Sequence, residues 1–245
     1  MRRPRFHTSQ PLQSGELCLE AEPSRHIGRT LRMRVGDSLC LFDGKGREAA
    51  AHITNVERDA VSVALQEPQL LDRESPLAVT LAIAVSRGDR MDTVIQKATE
   101  LGVAIIRPLL SERTGVRLDE KRWLRKREHW QRIAISACEQ CGRNTLPDIA
   151  APVPLSTLLR EEDPEAELRL VLHPQGSASP LPTQCRSLYL LVGPEGGFSD
   201  DEVAAAVAAG FSALQLGPRV LRTETAPIAA ISLAQARWGD LLAGA

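Results

Sequence analysis

Two short segments near the C-terminus combine glycine, proline, arginine and carboxylate residues in a pattern that suits ligand binding. The first, at 192–198, contains three glycines within five residues, so its backbone can approach a ligand where no Cβ intervenes. Pro194 fixes one φ angle and stiffens this loop. The second segment, at 216–226, repeats the Gly-Pro pair and adds arginines and a carboxylate, and a third Gly- and Pro-containing loop lies at 172–176. Three such loops favour a ligand site over ordinary turns.

The elements around these loops alternate between strand and helix patterns. Helical periodicity and a capping box at Ser199–Glu202 predict helices, which fall at 89–101, 119–138, 199–209 and 226–238. Apolar runs predict buried strands, which fall at 77–85, 103–109, 168–172, 188–192 and 213–216. This alternation predicts an α/β domain with a largely parallel sheet. Because ligands bind beyond the carboxyl ends of strands in such sheets, the three loops are expected to form one site.

The N-terminal third has a different pattern. Short strands at 36–43, 47–53 and 61–65, with a glycine turn between the first two, predict a small barrel or sandwich. A short helix is predicted at 24–33, with Ile27 and Leu31 on one inner face. The stretch 66–76 has two prolines and no periodicity, and it separates a domain at 1–70 from a second domain at 76–245.

The chain lacks the sequence motifs that several classes of function require. The chain has no G-x-G-x-x-G after its first parallel strand, no P-loop and no G-x-S-x-G elbow. Its five histidines do not cluster, and the pair Cys138 and Cys141 has no second ligand pair, so no metal site is predicted. Only 3% of residues are aromatic, which disfavours an RNA surface built on stacked rings.

Charge is unevenly distributed although the formal net charge is only -1. Residues 1–34 hold seven arginines and three glutamates, a surplus of four positive charges that could contact phosphate or simply be solvated. No apolar run reaches the roughly 20 residues that a membrane span needs. We therefore expect a cytoplasmic protein without a membrane partner.

Four stretches of sequence are specific enough to indicate a family: GPEGG at 193–197, LGPRVLRTETA at 216–226, DTVIQKATELGV at 92–103 and EQCGR at 139–143. They resemble the RsmE family of 16S ribosomal RNA uridine-N3 methyltransferases, which belong to the SPOUT class. The opening residues at 2–6 are similar as well. Val220 and Thr223 stand where the family often has Ile and Ala, and neither replaces a charge.

The resemblance implies a PUA-like β-barrel followed by a SPOUT-type α/β domain with a parallel sheet and a C-terminal trefoil knot. It also implies S-adenosyl-L-methionine as cofactor, 16S rRNA within a small ribosomal subunit or its precursor as partner, and a homodimer. The cofactor-binding residues that it implies come from the three loops: Leu172, His173, Pro174, Val192, Gly193, Pro194, Glu195, Gly196, Gly197, Leu216, Gly217, Arg219, Val220, Leu221, Thr223, Thr225 and Ala226.

Catalysis and RNA binding are assigned to charged residues by their charge and position in the sequence. Arg222 is expected to stabilise negative charge on the uracil oxygens, and Glu224 to orient Arg222 or accept the N3 proton; a structural ion pair at a helix start is the alternative. RNA contacts are expected from Arg2, Arg3, Arg5, Arg25, Arg29 and Arg143. Two other functions stay open, namely a SPOUT-class methyltransferase acting on another RNA and a non-catalytic RNA-binding protein.

Overall fold

The computed structural model describes residues 3–58, 60–115, 119–160, 166–177 and 181–242. The chain divides into two compact units, Met1–Glu74 with Ile135–Leu146, and Ser75–Ala134 with Pro147–Ala245. The sequence pattern placed 135–146 in the second domain, whereas the structure places this segment in the first unit. Side chains explain the difference, because Arg143 pairs with Glu74 and Asn144 accepts a hydrogen bond from Arg5.

The first unit is built on a mostly antiparallel sheet, as the short strand patterns predicted. Its described strands are β1 (Arg5–His7), β2 (Gly15–Cys18), β3 (Ser38–Phe42), β4 (Arg47–Val56), β5 (Val61–Leu65) and β6 (Gln69–Leu70). Their order is β1-β3-β4-β5-β2, with β6 paired to β4, and only β1 runs parallel to its neighbour β3. Alternate residues of β4 and β5 face a core that includes Phe6 and Leu39.

A short helical segment of the first unit differs from its prediction. Helix α1 (Ala21–Arg25) continues into a π turn at His26–Thr30, where the Leu31 amide donates to the carbonyl of His26. Ile27 is buried as expected, but Leu31 is 46% exposed. A π turn contains more residues per turn than an α-helix, so it rotates Leu31 away from the face that Ile27 occupies.

The second unit contains the predicted parallel sheet. Its described strands are β7 (Ala78–Ala84), β8 (Ile105–Leu110), β9 (Asp148–Ile149), β10 (Val153–Pro154), β11 (Leu168–Ser177), β12 (Ser187–Val192) and β13 (Ser212–Leu214). The order is β10-β8-β7-β12-β11-β13, with β9 paired to β8, and each of these pairs is parallel. Buried aliphatic residues on β7 and β12, such as Leu81 and Leu190, form the centre of the core.

The described helices are α2 (Arg90–Glu100), α3 (Glu120–Cys141), α4 (Leu155–Leu158), α5 (Asp200–Ala208) and α6 (Thr225–Trp238). All but the short α4, which the sequence pattern did not predict, lie close to their predicted positions. The capping box that starts α5 is confirmed, because Ser199 and Glu202 exchange hydrogen bonds. Gly102 has φ +81°, which suits the residue that follows a helix end. Trp130 of α3 is fully buried. Among the described residues no helix is long and apolar enough to cross a membrane.

Candidate functional site

A cavity of about 590 Å³ lies in the second unit, where the C-terminal part of β11 and the loops after β12 and β13 converge. Small-molecule sites typically measure ~300–1,000 Å³, so this volume suits a ligand of cofactor size. The loop after β12 forms one wall, the loop from β13 to α6 forms another, and the region around Leu172 completes it. The three segments that the sequence pattern singled out are therefore neighbours in space, but 172–176, predicted as a loop, continues β11 with an irregular register against β13.

Nearly every residue predicted to contact the cofactor lines this cavity. Thr225 does not line it, because it is the first residue of α6 and is exposed. The two predicted catalytic residues, Arg222 and Glu224, line the same cavity. Arg90 and Phe198 also line it and were not among the predicted site residues.

The loop at 193–198 is held in one conformation by its own backbone. The amide of Gly197 donates to the carbonyl of Pro194 at 2.8 Å, and Gly197 has φ +68°. A Cβ on Gly193 would lie 3.0 Å from the backbone nitrogen of Phe198 and 3.2 Å from the carbonyl carbon of Gly197. Arg113 Nη1 donates to the carbonyl of Gly196 at 2.8 Å. This is the stiff, open loop that the sequence predicts.

Arg90 connects two loops of the cavity electrostatically. Its Nη1 donates to Glu195 Oε1 at 2.6 Å, and its Nε lies 3.7 Å from Glu224 Oε2. The backbone amide of Arg87 also donates to Glu195, at 3.2 Å. Burial would raise the pKa of Glu195, but hydrogen bonds from its own amide, Arg90 and Arg87 outweigh burial and lower the pKa. Glu195 is therefore ionised at neutral pH.

Sequence reasoning missed Arg90, although a usable signal was present. The stretch 86–89 after β7 lacks the dinucleotide-binding motif, so it predicted no site of its own. The position of this stretch in the sheet was the usable signal. Strand β7 is paired in parallel with β12, so the two strands end at the same edge of the sheet. A charged residue in the segment between a central parallel strand and the helix that follows it, as Arg90 is, is a candidate for the same site.

The predicted contact between Glu224 and Arg222 is wrong in the structure. The described ion pair of Glu224 is with Arg90, and Glu224 Oε2 is buried without a hydrogen-bond partner among the described residues. The Arg222 side chain is exposed on the cavity wall, while its carbonyl accepts the amides of Thr225 and Ala226 at 2.9 Å. Both residues line the same cavity, but Arg222 is exposed whereas Glu224 is partly buried beside Arg90.

Two arginines predicted to contact RNA are instead buried in the first unit. Arg5 is 8% exposed; its Nη1 lies 2.6 Å from Glu48, and Nη2 donates to Asn144. Arg143 is 6% exposed and pairs with Glu74. Because these guanidinium groups are covered and paired, neither can reach a phosphate, and both predictions are corrected.

The remaining candidates are distributed as follows. Arg3, Arg25 and Arg29 are exposed, and Arg2 lies outside the described residues. Lys97 and Glu100 form an ion pair at 2.8 Å on α2, and neither lines the cavity. Within the described part of the chain no three His, Cys, Asp or Glu side chains are grouped to hold a metal ion.

The Arg5→Ala variant tests the structural role of Arg5. We expect a loss of about 1–3 kcal/mol in the free energy of unfolding, because Asn144 Oδ1 and one oxygen of Glu48 lose their donor while Glu48 keeps its ion pair with Arg73. Urea denaturation of the whole chain, followed by circular dichroism, measures this loss. Arg25→Ala serves as the control, and a loss for Arg5→Ala no larger than for this exposed arginine would contradict the structural assignment.

Comparison with known proteins also identifies an RNA methyltransferase domain and a PUA domain in this chain. Residues 73–235 match the family model described as an RNA methyltransferase domain, and residues 19–66 match the RNA methyltransferase PUA domain. The chain is 35% identical over 243 residues to ribosomal RNA small subunit methyltransferase E of Buchnera aphidicola subsp. Schizaphis graminum, covering 98% of each chain. It is 34% identical to the Bacillus subtilis protein of the same name, covering 87% of each.

Two solved structures share both fold and sequence with the chain. A Legionella pneumophila protein, described as a methyltransferase in complex with SAM, superposes with TM-score 0.93 at 44% identity, covering 98% of this chain and 100% of that one. Ribosomal RNA small subunit methyltransferase E from Neisseria gonorrhoeae, bound to S-adenosyl methionine, gives TM-score 0.89 at 38% identity, covering 98% and 99%. The chain therefore belongs to the ribosomal RNA small subunit methyltransferase E family.

Proposed function

We propose that this chain transfers a methyl group from S-adenosylmethionine to N3 of a uridine in 16S ribosomal RNA. The observation that carries the proposal is the cavity of about 590 Å³ formed by the C-terminal part of β11 and the loops after β12 and β13. Relatives of this chain have been solved with the same methyl donor bound. The uridine N3 position and the SPOUT class with its C-terminal trefoil knot rest on family membership, as do a homodimer, a small-subunit particle as substrate and a cytoplasmic location.

The residues present fit S-adenosylmethionine. The cavity is large enough for it and has backbone groups accessible at Gly193 and Gly217, with Leu172 and Leu216 as apolar walls for an adenine ring. Glu224 Oε2, buried and without a hydrogen-bond partner in the described chain, is an acceptor that a polar ligand can satisfy. The bound donor supplies an activated methyl group on a sulfonium, and no metal is needed for its transfer.

Arg222 and Glu224 are proposed to act on the uracil. N3 carries a proton at neutral pH, so the N3–H bond must break as the new N3–CH3 bond forms. Glu224 accepts that proton, and the positive charge of Arg222 stabilises the negative charge that develops on the uracil oxygens. The methyl–sulfur bond breaks in the same displacement and leaves a neutral thioether, so proton, methyl group and charge balance.

RNA binding is proposed to involve exposed arginines of the first unit. Arg3, Arg25 and Arg29 are exposed, and Arg2 belongs to the same basic stretch of sequence. Joint replacement of Arg3, Arg25 and Arg29 by glutamine is expected to flatten the dependence of log K on log salt by about 0.7–0.9 for each phosphate that the protein no longer neutralises. Filter binding across a salt series measures this slope. An unchanged slope would mean that these three arginines do not contact RNA.

Nucleoside analysis tests the proposed function in the cell. If the gene is deleted, N3-methyluridine is expected to disappear from 16S rRNA and to return when the gene is restored. Persistence of N3-methyluridine in 16S rRNA with loss of a methylated nucleoside elsewhere would indicate a methyltransferase for another RNA. No change in any methylated nucleoside would favour a non-catalytic RNA-binding protein.

A further inference from the structure

The loop at 193–198 is contacted by a segment at 111–115, which directly follows β8. This segment is a closed turn, because the Thr114 amide donates to the Ser111 carbonyl at 3.1 Å and the Ser111 amide donates to the Thr114 hydroxyl at 2.9 Å. Arg113, within the turn, lines neither the first cavity, of about 590 Å³, nor a second, more open cavity of about 510 Å³ that adjoins it. Any effect of Arg113 on a ligand must therefore pass through the loop.

Arg113 holds the loop through the peptide group between Gly196 and Gly197. Its Nη1 donates to the Gly196 carbonyl at 2.8 Å. The amide at the other end of the same peptide group, that of Gly197, donates to the Pro194 carbonyl at 2.8 Å. Because a peptide group is planar, hydrogen bonds at both ends fix its orientation. Glycine on both sides makes this restraint important, since the backbone there has more conformations open to it than at any other residue.

A second peptide group of the loop, between Phe198 and Ser199, is also bound at both ends. The same Nη1 of Arg113 donates to the Phe198 carbonyl at 3.4 Å, and the Ser199 amide donates to Glu202 Oε2 at 3.0 Å. The other carboxylate oxygen of Glu202 accepts the Glu112 amide at 2.7 Å. The turn that carries Arg113 is therefore bound both to the loop and to the first turn of α5.

One backbone donor beside these fixed groups remains for a ligand. The Gly196 amide makes no hydrogen bond within the part of the chain that the structure describes, and Gly196 lines the first cavity. Only the φ and ψ rotations of Gly196 itself separate this amide from the peptide group that Arg113 fixes. The hydrogen bond from Arg113 therefore limits the directions in which the free amide can point.

We propose that Arg113 is a positioning residue for the methyl donor, which holds the loop at 193–198 in its ligand-binding conformation without contacting the ligand. This inference rests on the proposed function, in which that loop holds S-adenosylmethionine. A loop that is ordered before the ligand arrives costs little conformational entropy on binding, whereas a loop that the ligand must order lowers the affinity. Loss of the Arg113 guanidinium therefore weakens donor binding and leaves the chemical step unchanged once the donor is bound.

The Arg113→Met variant isolates the hydrogen bonds from the packing of the side chain. Methionine keeps an unbranched stem, and it is the stem of Arg113 that lies closest to Gly196. Arg113→Lys keeps a charged donor at the end of a similar stem and serves as the conservative variant. Arg186→Met is the matched control, since Arg186 is exposed and precedes β12 at the opposite edge of the sheet.

Calorimetry with S-adenosylmethionine, and steady-state kinetics with unmethylated small ribosomal subunits, separate donor binding from the reaction. For Arg113→Met we expect the Kd for S-adenosylmethionine to rise about threefold to tenfold, the fold-change that corresponds to the loss of one or two exposed hydrogen bonds. The kcat at saturating donor and the KM for the subunit should be unchanged. Arg113→Lys is expected to recover part of the affinity, and Arg186→Met should match the unchanged chain.

Hydrogen exchange of the protein without donor gives a readout that does not depend on activity. In Arg113→Met the backbone amides of residues 195–199 are expected to exchange faster, because the loop opens more often when its carbonyls lose their donor. The amides of β12 should exchange as in the unchanged chain, which shows that the fold itself is intact. Arg186→Met should alter neither region.

The possible failures can be told apart. An unchanged Kd in Arg113→Met would overturn the positioning role and leave the proposed function intact, and so would a raised Kd without faster exchange of the loop. Faster exchange that extends through β12 would also overturn it, because Arg113 would then support the fold in general. If the unchanged chain binds S-adenosylmethionine but methylates no uridine, the proposed function fails, whereas a raised Kd with faster loop exchange in Arg113→Met would still support the role of Arg113 in donor binding.

Discussion

The Arg222→Ala variant is expected to lower kcat by about 10²–10³-fold, the usual effect of removing one group that stabilises transition-state charge. The reason is that Arg222 is exposed and lines the first cavity, on the loop that leads from β13 to α6. Its charge is proposed to matter only when N3 loses its proton. The Kd for S-adenosylmethionine, measured by calorimetry, should therefore remain unchanged.

Two further variants make this expectation specific. Arg222→Lys keeps the charge and is expected to recover part of the lost kcat, whereas Arg186→Ala removes an arginine at the opposite edge of the sheet and should have no effect. Loss of S-adenosylmethionine binding in step with kcat would contradict a catalytic role. Such a result would mean that Arg222 mainly holds the loop before α6.

The Gly193→Val variant is expected to weaken S-adenosylmethionine binding by about tenfold to a hundredfold, the fold-change that corresponds to overpacking costs of ~1–3 kcal/mol. Even a Cβ at this position would lie 3.0 Å from a backbone nitrogen and 3.2 Å from a backbone carbon. Backbone atoms cannot turn aside as a flexible side chain can, so the loop at 193–198 must move. Calorimetry measures the effect on the donor site.

A graded series checks the cause of that weakening. Gly193→Ala should give a smaller effect than Gly193→Val, and Gly28→Ala should give none, because its Cβ would meet only side-chain atoms at 3.8 Å and 4.0 Å. Gly196→Ala should also be mild, since its nearest neighbour is the flexible Arg113 side chain at 3.4 Å. If Gly193→Val binds S-adenosylmethionine with the same Kd as the unchanged chain, the proposed role of this loop is contradicted. Thermal unfolding of each variant separates a local change from misfolding.

The position of the first cavity could be predicted because local sequence carries that information. Glycine and proline at 193–197 dictate an open, stiff loop, and the apolar runs before each loop predict parallel strands that end at one edge of the sheet. The structure brings these loops together as expected. The methyl donor itself could be named only through family resemblance.

Tertiary contacts decided what the sequence pattern could not. Helix α3 runs without a break as far as Cys141, yet Arg143 and Asn144, which follow it, make hydrogen bonds with residues 1–74 of the first unit. The charge of Arg5 suggested RNA contact, but its burial with Glu48 became visible only when β1 and β4 were placed in one sheet. Likewise, no local signal reveals that Arg90 reaches both Glu195 and Glu224.

The central claim is the transfer of a methyl group to N3 of uridine. The direct measurement uses the purified chain with methyl-labelled S-adenosylmethionine and small ribosomal subunits from cells that lack the corresponding enzyme. Enzymatic digestion of the 16S rRNA and chromatography then identify the labelled nucleoside. We predict that the label is found in N3-methyluridine. Label in any other nucleoside, or no label in RNA although the donor binds, would contradict the account.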